Sequence, residues 1–147
     1  MNICVLNGPN LNLLNKREEE KYGNLSLEEI NKKIASEFPE ISFSFFQSNI
    51  EGEIIEQIQK CSESCDGLII NPGGYSHTSV AIRDALEICR IPKIEVHLSN
   101  IAAREHFRHN MITASVCNGY ISGLKEYSYI GAVFTLIQIL KSCKSRK

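Results

Sequence analysis

The chain has 147 residues, 43% of them hydrophobic and 22% charged, with 16 Lys+Arg against 17 Asp+Glu for a formal charge of −1. That length suits a single domain over residues 1–147, large enough to bury a core and too short for two full-sized domains. A balance this close to zero argues against a general electrostatic grip on nucleic acid, so a bound anion must be met by local charges.

Residues 2–6 form an apolar, β-leaning run that stops at Asn7-Gly8-Pro9-Asn10, a turn cluster. This start lacks the charged region, long apolar region and small-residue cleavage site of a secretory signal. Residues 11–24 carry Lys16, Arg17, Glu18, Glu19, Glu20 and Lys21 with no apolar period and close on Tyr22-Gly23, which predicts a mobile surface segment. Ser26-Leu27-Glu28-Glu29 fits a capping box, with Leu25 and Ile30 placed for a hydrophobic staple. Leu27, Ile30, Ile34 and Phe38 then recur at helical spacing until Pro39 ends the helix.

Ile41, Phe43 and Phe45 alternate as in a strand, and Ile50, Ile54, Ile58 and Cys61 return to a helical period. Residues 67–70 make an apolar run bounded by Asp66 and by Asn71-Pro72-Gly73-Gly74, which suits a fully buried parallel strand. A helix through Val80, Ala81, Ala85, Leu86 and Cys89 follows, with Ser76, Thr78 or Ser79 as its N-cap. Pro92 precedes a strand over 93–98, a weaker strand lies around Tyr120-Ile121, and residues 130–140 supply a closing helix before the polar residues 141–147. That last apolar stretch is broken by Gly131, Thr135 and Gln138 and falls short of the roughly 20 residues that span a bilayer. A soluble, cytoplasmic protein without membrane contact is expected. The six cysteines include no C-x-x-C pair and several sit in apolar patterns, so they read as reduced, mostly buried thiols.

Five βα units imply a parallel sheet with right-handed crossovers and helices on both faces, an α/β fold. They suit a flavodoxin-like, doubly wound five-stranded sheet of order 2-1-3-4-5, whose ligands bind beyond the carboxyl ends of the central strands. Residues 7–10, 71–77 and 97–100 fall at those ends, which predicts one crevice holding all three.

Glu95 and His97 stand two apart on a strand, so they share a face while Ile94, Val96 and Leu98 take the other. A carboxylate that orients a histidine as general acid or base explains such a pair in a buried strand. Two solvated groups at a strand end would explain it equally. The turn-rich stretch Asn71-Pro-Gly-Gly-Tyr-Ser-His77 reads as a tight connection, or as a place where Asn71 and His77 hold hydroxyl groups; a G-x-S-x-G elbow is absent. Arg104 and Arg108, one helical turn apart, read as a solvated basic face. His106 and His109 lack a third ligand at metal spacing, and neither common phosphate loop occurs, so no metal and no strong nucleotide site is expected. Tyr22 reads as a loop anchor unless guanidinium charge and exclusion of water turn its phenol into a base.

Taken together, Asn7-Gly-Pro-Asn-Leu-Asn-Leu-Leu14, Arg17-Glu18 with Tyr22-Gly23, Gln47-Ser-Asn49 with Glu51-Gly52, Ile70-Asn-Pro-Gly-Gly-Tyr-Ser-His-Thr-Ser-Val-Ala81, and Glu95-Val-His97-Leu-Ser99-Asn100 followed by Arg104-Glu105 and Phe107-Arg108 closely resemble the type II 3-dehydroquinases. The blocks run in family order from the first strand to the last helix. The resemblance implies a flavodoxin-like fold, a homododecamer built as a tetramer of trimers, and dehydration of 3-dehydroquinate to 3-dehydroshikimate in the shikimate pathway of aromatic amino acid biosynthesis. It implies neither cofactor, metal nor Schiff base.

By the same resemblance, Tyr22 removes the C2 proton as a phenolate favoured by Arg17 and Arg104, and a water near Asn10 stabilises the enolate. His97, oriented by Glu95 and assisted by Asn71, protonates the departing C1 hydroxyl. Leu98 and Ser99 take the substrate carboxylate, His77 and Arg108 the ring hydroxyls, and Asp84 reaches a neighbouring subunit's site. Closure of residues 15–24 brings Arg17 and Tyr22 over the substrate. Asn15, Glu19 and Ala102 depart from the commoner residues at their positions, none of them catalytic in the family. The competing expectation is a non-enzymatic flavodoxin-like module binding a flavin or a small anion.

Overall fold

The computed structural model describes residues 1–144, so the end of the polar 141–147 stretch lies outside the described residues. Five strands, β1 (Asn2–Asn7), β2 (Ser42–Gln47), β3 (Gly67–Asn71), β4 (Lys93–His97) and β5 (Gly119–Ser122), form one sheet. All neighbouring pairs are parallel and the order is β2-β1-β3-β4-β5, the flavodoxin-like topology that the alternation of elements predicts. The helices are α1 (Glu19–Tyr22), α2 (Leu27–Glu37), α3 (Glu51–Ser64), α4 (Val80–Ile88) and α5 (Tyr127–Lys144).

Period-2 alternation in the strands splits the core in two. On one face Ile3, Val5, Ile69, Ile94 and Val96 pack against Ile30 and Ile34 of α2 and Tyr129, Val133 and Leu136 of α5. On the other Cys4, Leu6, Leu68 and Ile70 meet Ile54, Ile58 and Cys61 of α3 and Ile82 and Leu86 of α4. Central strands β3 and β4 are buried along their whole length, while edge strand β2 is largely exposed. Among the described residues no helix is long and apolar enough to cross a membrane. Cys4, Cys61 and Cys89 are buried, Cys65 and Cys117 half-buried, and Cys143 exposed.

Local signals act as read. Ser26 Oγ accepts from the Glu29 N–H and the Glu29 carboxylate accepts from the Ser26 N–H, closing the capping box of α2. That helix ends one residue before Phe38, which leaves the helical region ahead of Pro39. Of the three candidate caps of α4, Ser79 is the one that acts, accepting from the Ile82 N–H at 2.9 Å. Val80 and Ala81 face solvent, so the inward stripe of α4 runs instead through Ile82, Ala85 and Leu86 to Cys89.

The segment after β1 departs in part from expectation. Residues 11–24 lie mostly at the surface, as expected, yet they fold into a 3₁₀ turn (Leu11–Lys16) and the single turn of α1, and they bury Leu11, Leu14 and Tyr22. These pieces are too short to show a period, yet three apolar anchors hold them to the core.

The loops after β1 and β3 are clamped together. The Gly8 N–H donates to the Asn71 carbonyl at 2.7 Å, and a Cβ on Gly8 would stand 2.5 Å from the Pro72 carbonyl oxygen. Across the same contact Gly73 adopts φ +60, and a Cβ there would stand only 3.0 Å from the Pro9 carbonyl oxygen. Gly8→Ala must therefore push the two loops apart. The expected result is a loss of more than about 1 kcal/mol of stability in denaturant unfolding, with a disproportionate loss of ligand binding at the strand ends.

Candidate active site

The carboxyl ends of β3 and β4 and the two 3₁₀-rich segments around them line one cleft. Leu11, Arg17 and Tyr22 form one wall and Asn71, Gly73, Gly74 and His77 another, with His97, Leu98, Ser99, Ile101, Arg104 and Arg108 completing it. The crevice expected at these strand ends gathers residues of the 71–77 and 97–100 stretches, but none of residues 7–10 lines it; Pro9 and Asn10 border a neighbouring groove instead.

Tyr22 carries the densest interactions. Its phenol oxygen accepts from Arg17 Nη2 and from Arg104 Nη1, the latter at 2.7 Å. The Arg17 guanidinium lies over the Tyr22 ring, 3.7 Å from its centroid, and the Arg104 guanidinium stands 5.4 Å from it. A second bond from Arg104 Nη1 reaches Ser99 Oγ at 2.9 Å, tying the wall to the end of β4. Burial lowers the proton affinity of Arg17, against the opposing pull of Tyr22. Tyr22 is only 8% exposed, so its ring anchors the 11–24 segment to the core while its hydroxyl meets the two arginines.

Glu95 and His97 do share a face, and neither is solvated: they are 0% and 5% exposed. His97 Nε2 lies 2.7 Å from Glu95 Oε1. Glu95 Oε1 also accepts from Ser76 Oγ at 2.6 Å, and Oε2 accepts from Thr113 Oγ1 at 2.6 Å. Hydroxyl protons on both oxygens mark Glu95 as an acceptor, which assigns the bridging proton to His97 Nε2 and leaves Nδ1 to the cleft. Glu95 itself stands behind the cleft rather than in its wall.

Asn71 is held by its surroundings. Its Oδ1 accepts from the Gly73 N–H at 3.2 Å, and its Nδ2 donates to the Tyr129 hydroxyl at 2.9 Å. Tyr129, fully buried in α5, donates its own proton to Asn7 Oδ1 at 2.6 Å; burial keeps that phenol protonated, well above the usual tyrosine range. His77 stacks near His97, with centroids 6.4 Å apart, and its Nδ1 contacts the Asn110 carbonyl at 3.1 Å. Burial pulls His77 below the usual histidine value, favouring a neutral ring.

Arg104 and Arg108 do not share a helix. Arg104 follows the 3₁₀ turn Ile101–Ala103 and Arg108 lies in the turn His106–His109, and Glu105 bridges them, 3.3 Å from Arg104 Nε and 2.8 Å from Arg108 Nε. The Glu105 carboxyl is held down at about 2, by its own backbone N–H first and by Arg108 next. The two guanidinium groups therefore line the cleft instead of forming a solvated face. Asn10 and Asp84 lie apart. Asn10, in the left-handed region at φ 68, lines an adjoining open groove with Asn49, Tyr75 and Phe107. Asp84 sits on the outer side of α4 beside Arg83, at 3.1 Å. Among the described residues no group of three or more His, Cys, Asp or Glu side chains is placed to hold a metal.

Three guanidinium groups around one small polar cleft suit a small anion bearing hydroxyl groups. A phenol oxygen that accepts from two arginines and an imidazole hydrogen-bonded to a buried carboxylate present that molecule with two separate groups able to exchange protons. Ser76, Thr113, Tyr129 and Glu105, which hold these groups, do not stand out in the sequence as site residues. Their signal is weak, since hydroxyl residues in turns and a tyrosine in an apolar helix look like caps and core.

Comparison with known proteins agrees with this geometry. The family model for Dehydroquinase class II matches residues 1–137. The chain is 51% identical over 141 residues to 3-dehydroquinate dehydratase from Caldicellulosiruptor bescii, covering 94% of this chain and 97% of that protein. It is 46% identical over 147 residues to 3-dehydroquinate dehydratase from Aliarcobacter butzleri, covering 99% and 90%. The crystal structure of type II dehydroquinase from Butyrivibrio crossotus superimposes with a TM-score of 0.89 at 47% identity, covering 92% of this chain and 97% of that one. With the family's motifs, its fold and its match over most of the length all present, this chain belongs to the class II dehydroquinases.

Proposed function

We propose that the protein is a 3-dehydroquinate dehydratase acting as a single catalytic domain, eliminating water to give 3-dehydroshikimate in the shikimate pathway. The observation that carries this reading is the Tyr22 phenol oxygen under two guanidinium groups in the same cleft as an imidazole backed by a buried carboxylate. Tyr22, as phenolate, takes the C2 proton of the substrate. The electron pair of the C2–H bond moves toward the C3 carbonyl, whose oxygen becomes an enolate met by a water near Asn10. The enolate then collapses to the C1–C2 double bond, and the C1 hydroxyl leaves as water with a proton from His97. Asn71 steadies His97, and Glu95 balances the imidazolium charge.

Leu98 and Ser99 take the carboxylate, and His77 and Arg108 the ring hydroxyls. The 15–24 segment covers the bound substrate and excludes water. The cytoplasmic enzyme works as a homododecamer, a tetramer of trimers, in which Asp84 reaches a neighbour's site. Its outward position on α4 supports that placement. The motif and family match favour this reading over a flavin- or anion-binding module.

Conversion of 3-dehydroquinate to a product with enone absorbance tests the function, and it must survive borohydride treatment in the presence of substrate. Absence of the enone, or inactivation through a trapped imine, overturns it. Arg108→Lys is expected to raise KM about tenfold with a smaller change in kcat, because a lysine replaces a planar fork with a point charge; steady-state kinetics check this.

A further inference from the structure

We infer that Thr113, together with Ser76, is a positioning residue for the elimination: the two hydroxyls fix the Glu95 carboxylate so that it holds His97 in its proton-donating state. This rests on the reading of His97 as the general acid. The observation is a buried carboxylate with every approach accounted for. Ser76 Oγ and His97 Nε2 meet Oε1 at 2.6 and 2.7 Å, and Thr113 Oγ1 meets Oε2 at 2.6 Å. Ser76 and Thr113 are both fully buried and their oxygens are 3.2 Å apart, so the three side chains close a ring. Each hydroxyl has one proton to give, and the shorter contacts direct both at Glu95.

Backbone contacts lock that ring to the cleft. The Ser76 carbonyl accepts from the Ile112 N–H at 2.9 Å, joining the turn after β3 to the segment that follows Arg108. The segment that carries Arg104 and Arg108 into the cleft therefore also delivers Thr113 to Glu95.

Loss of the Thr113 hydroxyl leaves Oε2 without a donor in a dry interior, where an unpaired charged oxygen is costly. The carboxylate can respond by rotating toward another donor or by taking up a proton. Either response withdraws negative charge from His97 Nε2 and disfavours the imidazolium. The other charged and titratable groups near this pair are His77, stacked at 6.4 Å, Arg104 and Arg108 in the cleft wall, and Lys93 on β4. The Cys117 thiol, pushed up to about 12 by burial and next by the Glu95 charge, stays neutral. None of these donates to Glu95 in its place.

The test is Thr113→Val, with Thr113→Ser as the conservative variant and Ser76→Ala as an independent second removal. Thermal unfolding first establishes that each is folded. Thr113→Val and Ser76→Ala are expected to lower kcat about tenfold or more with KM little changed, and to move the alkaline limb of the kcat–pH profile to lower pH. Thr113→Ser is expected to restore both. In the substrate-free protein, NMR of the ¹⁵N-labelled histidines is expected to show His97 losing its proton at lower pH in the valine variant. A His97 titration and kcat–pH profile unmoved in the folded Thr113→Val and Ser76→Ala proteins overturn the inference. A moved titration with His97→Ala still fully active would instead overturn the role of His97 as the acid, so the two failures are distinguishable.

Discussion

Tyr22→Phe is expected to lower kcat by about 10²- to 10⁴-fold while the protein stays folded. The substitution removes one oxygen and nothing else. Its ring remains packed with Leu11 and Leu14 in the core and beneath the Arg17 guanidinium, so the 11–24 segment keeps its anchor. What disappears is the oxygen on which Arg17 Nη2 and Arg104 Nη1 converge. Arg104 keeps its bond to Ser99 Oγ, so the cleft retains its positive charge and ought to bind substrate with KM changed only a few-fold. A kcat within tenfold of the parent protein would remove Tyr22 from the chemistry.

His97→Ala is expected to cost a similar 10²- to 10⁴-fold in kcat, for a different reason. Hydroxide is a poor leaving group, and the imidazole is the one ionisable group on the cleft wall backed by a buried carboxylate. The variant leaves Glu95 with two of its three side-chain donors, Ser76 and Thr113, so folding persists at a cost of about 1–3 kcal/mol. Denaturant unfolding measures that cost, and steady-state kinetics measure the rest. Unchanged turnover in a folded variant would assign the acid elsewhere.

Much of this arrangement is legible in the chain itself. Apolar runs bounded by turn residues locate β1, β3 and β4, and the polar carboxyl ends of β3 and β4 locate the cleft, whereas Asn10 after β1 borders a neighbouring groove. The i, i+2 spacing of Glu95 and His97 on a buried strand already places the pair on one side, and the structure decides between a solvated strand end and a buried pair in favour of the latter. Residues 11–24 look mobile in sequence because a six-residue 3₁₀ turn and a single α turn cannot display a helical period, even with Leu11, Leu14 and Tyr22 buried. Arg104 and Arg108 look like neighbours on a helix, yet two separate turns bring them to the cleft. The ring of Ser76, Glu95 and Thr113 spans 37 positions, and only the fold brings its members together. Such long-range hydroxyl contacts leave no local pattern, since a serine in a turn looks the same whether it caps a helix, as Ser79 does, or holds a carboxylate, as Ser76 does.

Two stations for two protons imply that the steps can be separated. Recovery of unreacted 3-dehydroquinate after incubation in heavy water, followed by NMR or mass measurement of deuterium at C2, reads the first step alone. The expected result is deuterium accumulating at C2 with His97→Ala, where the base works and the leaving group is not protonated, and none with Tyr22→Phe. Exchange that survives in Tyr22→Phe would contradict the assignment of the phenol as the base.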